Sequence, residues 1–182
     1  MTQASWKLDP DYVALIEDLI QCEEVQNLKT ITHHHFSTRL EHSISVSYTS
    51  YKIAKRLNLN CRAIARAGLL HDFFHEDRET FATSYAGYSH ASHHPHVALK
   101  NAQLLTELSD LECDIIVKHM WLASPACIYQ LPKFKESYVV TIVDKYCATK
   151  EVLIPLPQLI KTNLRHKAKS VWTRLKPANA SQ

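Results

Sequence analysis

The chain contains only two glycines, Gly68 and Gly87, in 182 residues. A sheet-rich fold needs glycine at many tight turns, so this scarcity argues against hairpin architecture and for helices. The five cysteines (Cys22, Cys61, Cys113, Cys127 and Cys147) are odd in number, widely spaced and free of any CxxC pair. That pattern speaks against both a disulfide framework and a zinc ribbon, and the thiols read as reduced ones of a cytoplasmic protein. No apolar run approaches the length of a membrane span, and "MTQASWKLDPDY" lacks the basic and apolar regions of a signal peptide, so no membrane partner is expected. A formal charge of +3 is too small to argue for nucleic acid, although acidic residues stop at Glu151. Internal repeats and low-complexity tracts are also missing. What the chain has is apolar content, 46%, enough for one domain with a buried core, and twelve histidines, ten of them between His33 and His96.

Hydrophobic spacing places those histidines on helices. Asp9 and Pro10 start a first helix predicted to run to about Asn27. Thr38 and Glu41 form a capping box for a second, on which His42 shares a face with Val46 and Ile53. Asn60 caps a third, whose inner stripe is Ile64, Ala67, Gly68, His71 and Asp72. The segment 77–94, "DRETFATSYAGYSHASHH", has turn composition and is expected as a long ordered loop, with Pro95 starting a fourth helix that carries His96 in its first turn. Ser109 and Glu112 cap a fifth, where Leu111, Ile115 and His119 recur at steps of four, and Val140, Asp144 and Cys147 align on a sixth. After "IPLP", Ile160, Leu164, Val171 and Leu175 mark a final basic amphipathic helix. The domain reading is therefore a helical core over 1–153 and a basic tail over 154–182.

Five helices each carry metal-capable groups on an otherwise apolar face: His42, His71 with Asp72, His96, His119 and Asp144. One inward histidine or aspartate is usually a hydrogen-bonded core residue. Six such groups around one centre would be costly as isolated polar groups, whereas cations at that centre satisfy them all. Imidazole and carboxylate without thiolate suit Fe, Mn, Co, Ni or Zn.

The ordered motifs "EHSISVSY", "LLHDFF", "HPHVAL", "VKHMW" and "IVDKYC" resemble the HD-domain superfamily of metal-dependent phosphohydrolases, over roughly Ser37 to Ala148. The resemblance implies an all-α, single-domain helical bundle in which His42, His71, Asp72 and Asp144 hold a first divalent metal. It also implies that His96 and His119 hold a second, with Asp72 bridging; His90, His93 and His94 compete with His96 for that place. The reaction so implied is hydrolysis of a small phosphorylated substrate, a phosphomonoester or phosphodiester, nucleotide-like or otherwise, by a metal-bound hydroxide. Cyclic-dinucleotide phosphodiesterases of this superfamily carry a lysine after the pair and a GYP signature; "HDFFHED" has neither, which disfavours that activity.

Three further residues are candidates for substrate chemistry. Arg39, one turn before His42, is placed to clamp a phosphate, and His75, one turn after His71, to protonate a leaving oxygen, with a supporting hydrogen bond as its plainer role. In the triplet His33, His34 and His35, just ahead of the His42 helix, His35 is the candidate to face substrate, against a reading as solvated loop histidines. Two other functions stay open. One is a diiron oxygenase, since some HD-fold proteins use the same ligands to activate dioxygen; the other is a metal-stabilised binding or regulatory module whose basic tail contacts nucleic acid or a partner. A homo-oligomer is a further expectation, with the apolar face of the tail packed on the domain or on a second subunit.

Overall fold

Asp9 opens the first helix, α1 (Pro10–Ile20): its carboxylate accepts from the backbone N–H of Tyr12 at 3.2 Å, and Pro10 sits where a missing N–H costs nothing. The spacing predicts this helix as far as Asn27, but in the computed structural model, which describes residues 5–33, 37–85 and 87–154, it stops at Ile20. Cys22 turns extended (φ −64°, ψ 135°), and the chain resumes as a single turn, α2 (Glu23–Gln26), followed by a 3₁₀ turn at Asn27–Thr30. The side-chain amide of Gln26 donates to the Ile20 carbonyl, one of the acceptors a helix end leaves orphaned. This break lets both Val25 and Leu28 reach the core, where they are fully buried.

A minimal hairpin follows, β1 (Thr32–His33) against β2 (Ser37–Thr38), antiparallel with His33 opposite Ser37. The predicted capping box of Thr38 and Glu41 then starts α3 (Arg39–Leu57), which ends at Asn58 in the left-handed region, φ 52°. Asn60 caps α4 (Cys61–Leu70) by accepting from the Ala63 N–H at 3.0 Å. These two helices meet at Gly68, where a Cβ would lie 2.9 Å from the Ser47 Cα. Ser47 fastens the contact, donating to the Ala65 carbonyl at 2.6 Å and accepting from the Tyr12 hydroxyl at 2.8 Å, so α1, α3 and α4 share one buried junction.

The segment 77–94 is not the loop its composition predicts. Asp77 caps a short α5 (Arg78–Ser84), and α6 (His90–Leu105) starts five residues before Pro95, which lies inside it. An interior proline removes the bond to the carbonyl four residues back, here Ala91, and crowds it. The Cys127 thiol stands 3.6 Å from that carbonyl and supplies a donor, so the helix tolerates Pro95. Ser109 and Glu112 form the predicted capping box of α7 (Asp110–Lys118), and α8 (Lys135–Leu153) is the last described element. The tail beyond Ile154, and His34 and His35, lie outside the described residues.

Together the helices make an all-α, single-domain bundle whose core joins Tyr12, Ile16, Val46, Ile64, Leu70, Ile115 and Val140. A second small cluster, Phe74, Phe81 and Val97, joins α5 to α6 and to the segment that follows α4. Among the described residues no helix is long and apolar enough to cross a membrane. Helices α3, α4, α6, α7 and α8 all converge on one end of the core, and that is where the polar residues gather.

Candidate metal centre

His71 and His119 each occupy the C-cap position of a helix, α4 and α7. Carbonyls in the last turn lack helical partners, and both imidazoles take one: Nδ1 donates to the Gly68 carbonyl at 2.8 Å in His71 and to the Ile116 carbonyl at 2.7 Å in His119. Near the start of α6, His94 Nδ1 likewise donates to a backbone carbonyl, that of His90, at 2.7 Å. With the proton assigned to Nδ1 by these bonds, Nε2 of each ring presents a lone pair to the interior.

Two sets of ligand atoms result. In the first, His42 Nε2 lies 2.9 Å from Asp144 Oδ1, and His71 Nε2 lies 3.6 Å from the same oxygen and 3.8 Å from Asp72 Oδ2. In the second, Asp72 Oδ1 lies 3.2 Å from His94 Nε2 and 3.5 Å from His119 Nε2, which are 2.9 Å apart. Asp72 thus turns one oxygen to each set. Beyond them, His33 Nε2 stands 3.6 Å from Asp72 Oδ2, and Glu151 bonds His42 Nδ1 at 3.0 Å.

Cations fit this arrangement. Buried His71 Nε2 and Asp72 Oδ1 have no hydrogen-bond partner, although burial without one is costly. His94 and His119 aim two lone pairs at each other, a repulsive contact that a shared ion turns into coordination. The groups His42, His71 and Asp144, and His71, Asp72 and His119, each bring ligand atoms within 4.8 Å of one another, so two clusters could coordinate divalent ions. The donor set, imidazole and carboxylate without thiolate, suits transition metals.

Electrostatics tell how the cluster is balanced without metal. Burial works against the charged form of His42, but hydrogen bonds to Asp144 and Glu151 outweigh it and lift the imidazole to about 10. His71 is likewise raised against burial by Asp72 and Asp144. His119 goes the other way: burial, then the neighbouring His71 and His94, push it down to about 3, leaving a neutral ring suited to ligation. Burial would raise the aspartates, yet His71 and His94 hold Asp72, and His42 and His71 hold Asp144, well below the usual carboxylate range.

Five sequence-predicted ligands therefore come together: His42, His71, Asp72, His119 and Asp144. His96 does not join them. It is exposed on α6, and His94 stands in its place, because a helix begun at His90 turns His94, Val97, Ala98 and Ala102 inward. Arg39, expected at the substrate, is nearly fully buried: it stacks 3.6 Å over the Phe74 ring and donates to the Phe74 and Glu76 carbonyls, holding the segment after His71 and Asp72. His75 is exposed, its ring edge-on to Phe73, and it lines a cleft with Thr32, Glu76 and Thr80 rather than facing the cluster. Sequence reasoning placed His96 ahead of its competitor His94, and missed Glu151 and the inward aim of His33. The apolar stripe following His94, and the seven-residue step from Asp144 to Glu151 on α8, carried signals for two of these. Beside the cluster, Lys145 Nζ donates to the His119 carbonyl at 2.8 Å and comes within 4.0 Å of Asp144 Oδ2.

The HD domain family model matches residues 39–149, more than half of the chain, and the protein belongs to that family. No curated protein and no solved structure matches the chain. Membership and the His/Asp clusters are consistent with a metal-dependent hydrolase. The match spans the clustered groups from His42 to Asp144 and leaves His33 and Glu151 outside.

Proposed function

We propose that the protein is a metal-dependent phosphohydrolase acting on a small phosphate ester at a dinuclear centre. The first ion would be held by His42, His71, Asp72 and Asp144, and the second by Asp72, His94 and His119. The observation that carries this reading is the division of the two Asp72 oxygens between two sets of imidazole Nε2 atoms. Bound cations would supply Lewis acidity, activating water and neutralising phosphate oxygens as charge moves to the leaving group.

The chain's own residues set up that chemistry. Backbone carbonyls fix three rings in the ligating tautomer, so little reorganisation accompanies binding. Arg39 keeps the segment behind Asp72 in place, and Lys145 adds a positive charge at the margin of Asp144. Metal analysis of purified protein, combined with a panel of phosphomonoesters and phosphodiesters, tests the reading. Asp72→Ala should lose metal and phosphate release together; a fully active, metal-loaded variant refutes the dinuclear centre. Turnover that consumes dioxygen without releasing phosphate refutes the hydrolytic reaction.

A further inference from the structure

Glu151 lies two residues beyond the family match, and His33 six residues before it. The two meet over the first set of ligands. Glu151 is one turn past Cys147 on the inward face of α8, and each of its oxygens has work. Oε1 faces His42 Nδ1 at 3.0 Å, while Oε2 accepts from the Ser37 hydroxyl at 2.6 Å and faces His33 Nδ1 at 3.4 Å. The two imidazoles stack with centroids 4.0 Å apart and planes inclined by 28°. A single carboxylate thus faces Nδ1 of both rings. Carboxylates accept hydrogen bonds and do not donate them when ionised, so each ring is protonated at Nδ1 and turns Nε2 to the interior. For His42 that atom meets Asp144, and for His33 it meets Asp72 Oδ2 at 3.6 Å. His33, His42 and Asp72 bring their ligand atoms within 4.8 Å of one another. The β1–β2 pairing sets His33 opposite Ser37, so the bond from Ser37 to Glu151 also ties the hairpin to α8.

We propose that Glu151 is a positioning residue for two imidazoles at once, fixing the tautomer of His42 and bringing His33 to the first cation as an additional ligand from outside the family region. The proposal rests on the metal centre described above but not on its reaction. It gives the hairpin a function: a two-residue strand pair has little stability of its own, and here its anchor is the carboxylate that orients the ligand it carries.

The test is titration of the metal-stripped full-length protein with Co²⁺, following affinity and the visible absorption of the bound ion, which responds to the number and kind of its donors. Glu151→Ala should weaken the first Co²⁺ by about 10–100-fold, the usual effect of removing a partner that orients a ligating histidine. Glu151→Gln, which keeps the volume and one acceptor oxygen, should recover part of that loss. His33→Ala should change the absorption of the first ion while leaving the second unaltered. Wild-type affinity and absorption in folded Glu151→Gln and His33→Ala proteins overturn the proposal, whether or not Glu151→Ala folds. A wild-type protein that takes up two Co²⁺ yet hydrolyses no phosphate ester sinks the reaction alone; one that takes up none overturns both.

Discussion

In the metal-free protein His42 lies between two carboxylates, with Nε2 toward Asp144 and Nδ1 toward Glu151, and its pKa is raised from 6.5 to about 10. Near neutrality it is therefore an imidazolium, and an ion entering the first site must displace the proton on Nε2 while Nδ1 keeps its own. Holding that proton about three pH units above pH 7 costs the ion about 4 kcal/mol of apparent affinity, at about 1.4 kcal/mol per unit. The cost falls as pH rises, so the first ion should tighten by up to about tenfold per pH unit between pH 7 and 9. His119, already neutral with a pKa near 3, adds none to the second ion.

Competition between the protein and a chelator of known pH dependence, measured at several pH values with one metal, reads this directly. Two ions with different slopes are expected, the steeper belonging to the site that His42→Ala removes. Stability moves in the opposite sense. A folded-state pKa raised above the unfolded value stabilises the metal-free fold fully below about pH 6.5, and that contribution is lost as pH rises through about 10. The metal-free protein should then melt at progressively lower temperature from pH 7 to 10, and the loaded protein should resist this. Metal affinity that is flat with pH for both ions would refute the assignment of a displaceable proton to His42.

His94→Ala should remove the second ion and most phosphate release, whereas His96→Ala, at an exposed position, should leave both unchanged; metal content by mass spectrometry separates the two variants. Arg39→Ala leaves the Phe74 and Glu76 carbonyls without their donor and should cost about 1–3 kcal/mol, read as a lower denaturation midpoint with metal stoichiometry retained in the folded fraction. Gly68→Ala drives a methyl to 2.9 Å from the Ser47 Cα, against backbone that cannot yield cheaply, and should destabilise by about 1–3 kcal/mol; an unchanged midpoint would show that α3 and α4 are not in contact there.

Most of the buried cluster was legible because its histidines end or interrupt apolar stripes on helices whose starts are marked by side-chain caps. Thr38 with Glu41, Asn60, and Ser109 with Glu112 fix the phases of α3, α4 and α7, and with them the inward aim of His42, His71 and His119. The failure over 77–94 has one physical origin. Proline is a local signal for a helix start, but the compensation for an interior proline is tertiary: the donor near the Ala91 carbonyl is Cys127, 36 residues along the chain. Moving the start of α6 from Pro95 to His90 leaves that helix's phase to its apolar residues, and those select His94, with Val97 and Ala98 one turn on, rather than His96. Glu151 was hidden for a different reason. A carboxylate near a helix end reads as solvated unless its partners are known, and Glu151 has all three, His33, Ser37 and His42, more than 100 residues earlier in the chain. Local patterning thus reveals the groups that their own helix turns into the cluster. The groups that orient them are held by long-range contacts, and only the assembled fold shows them.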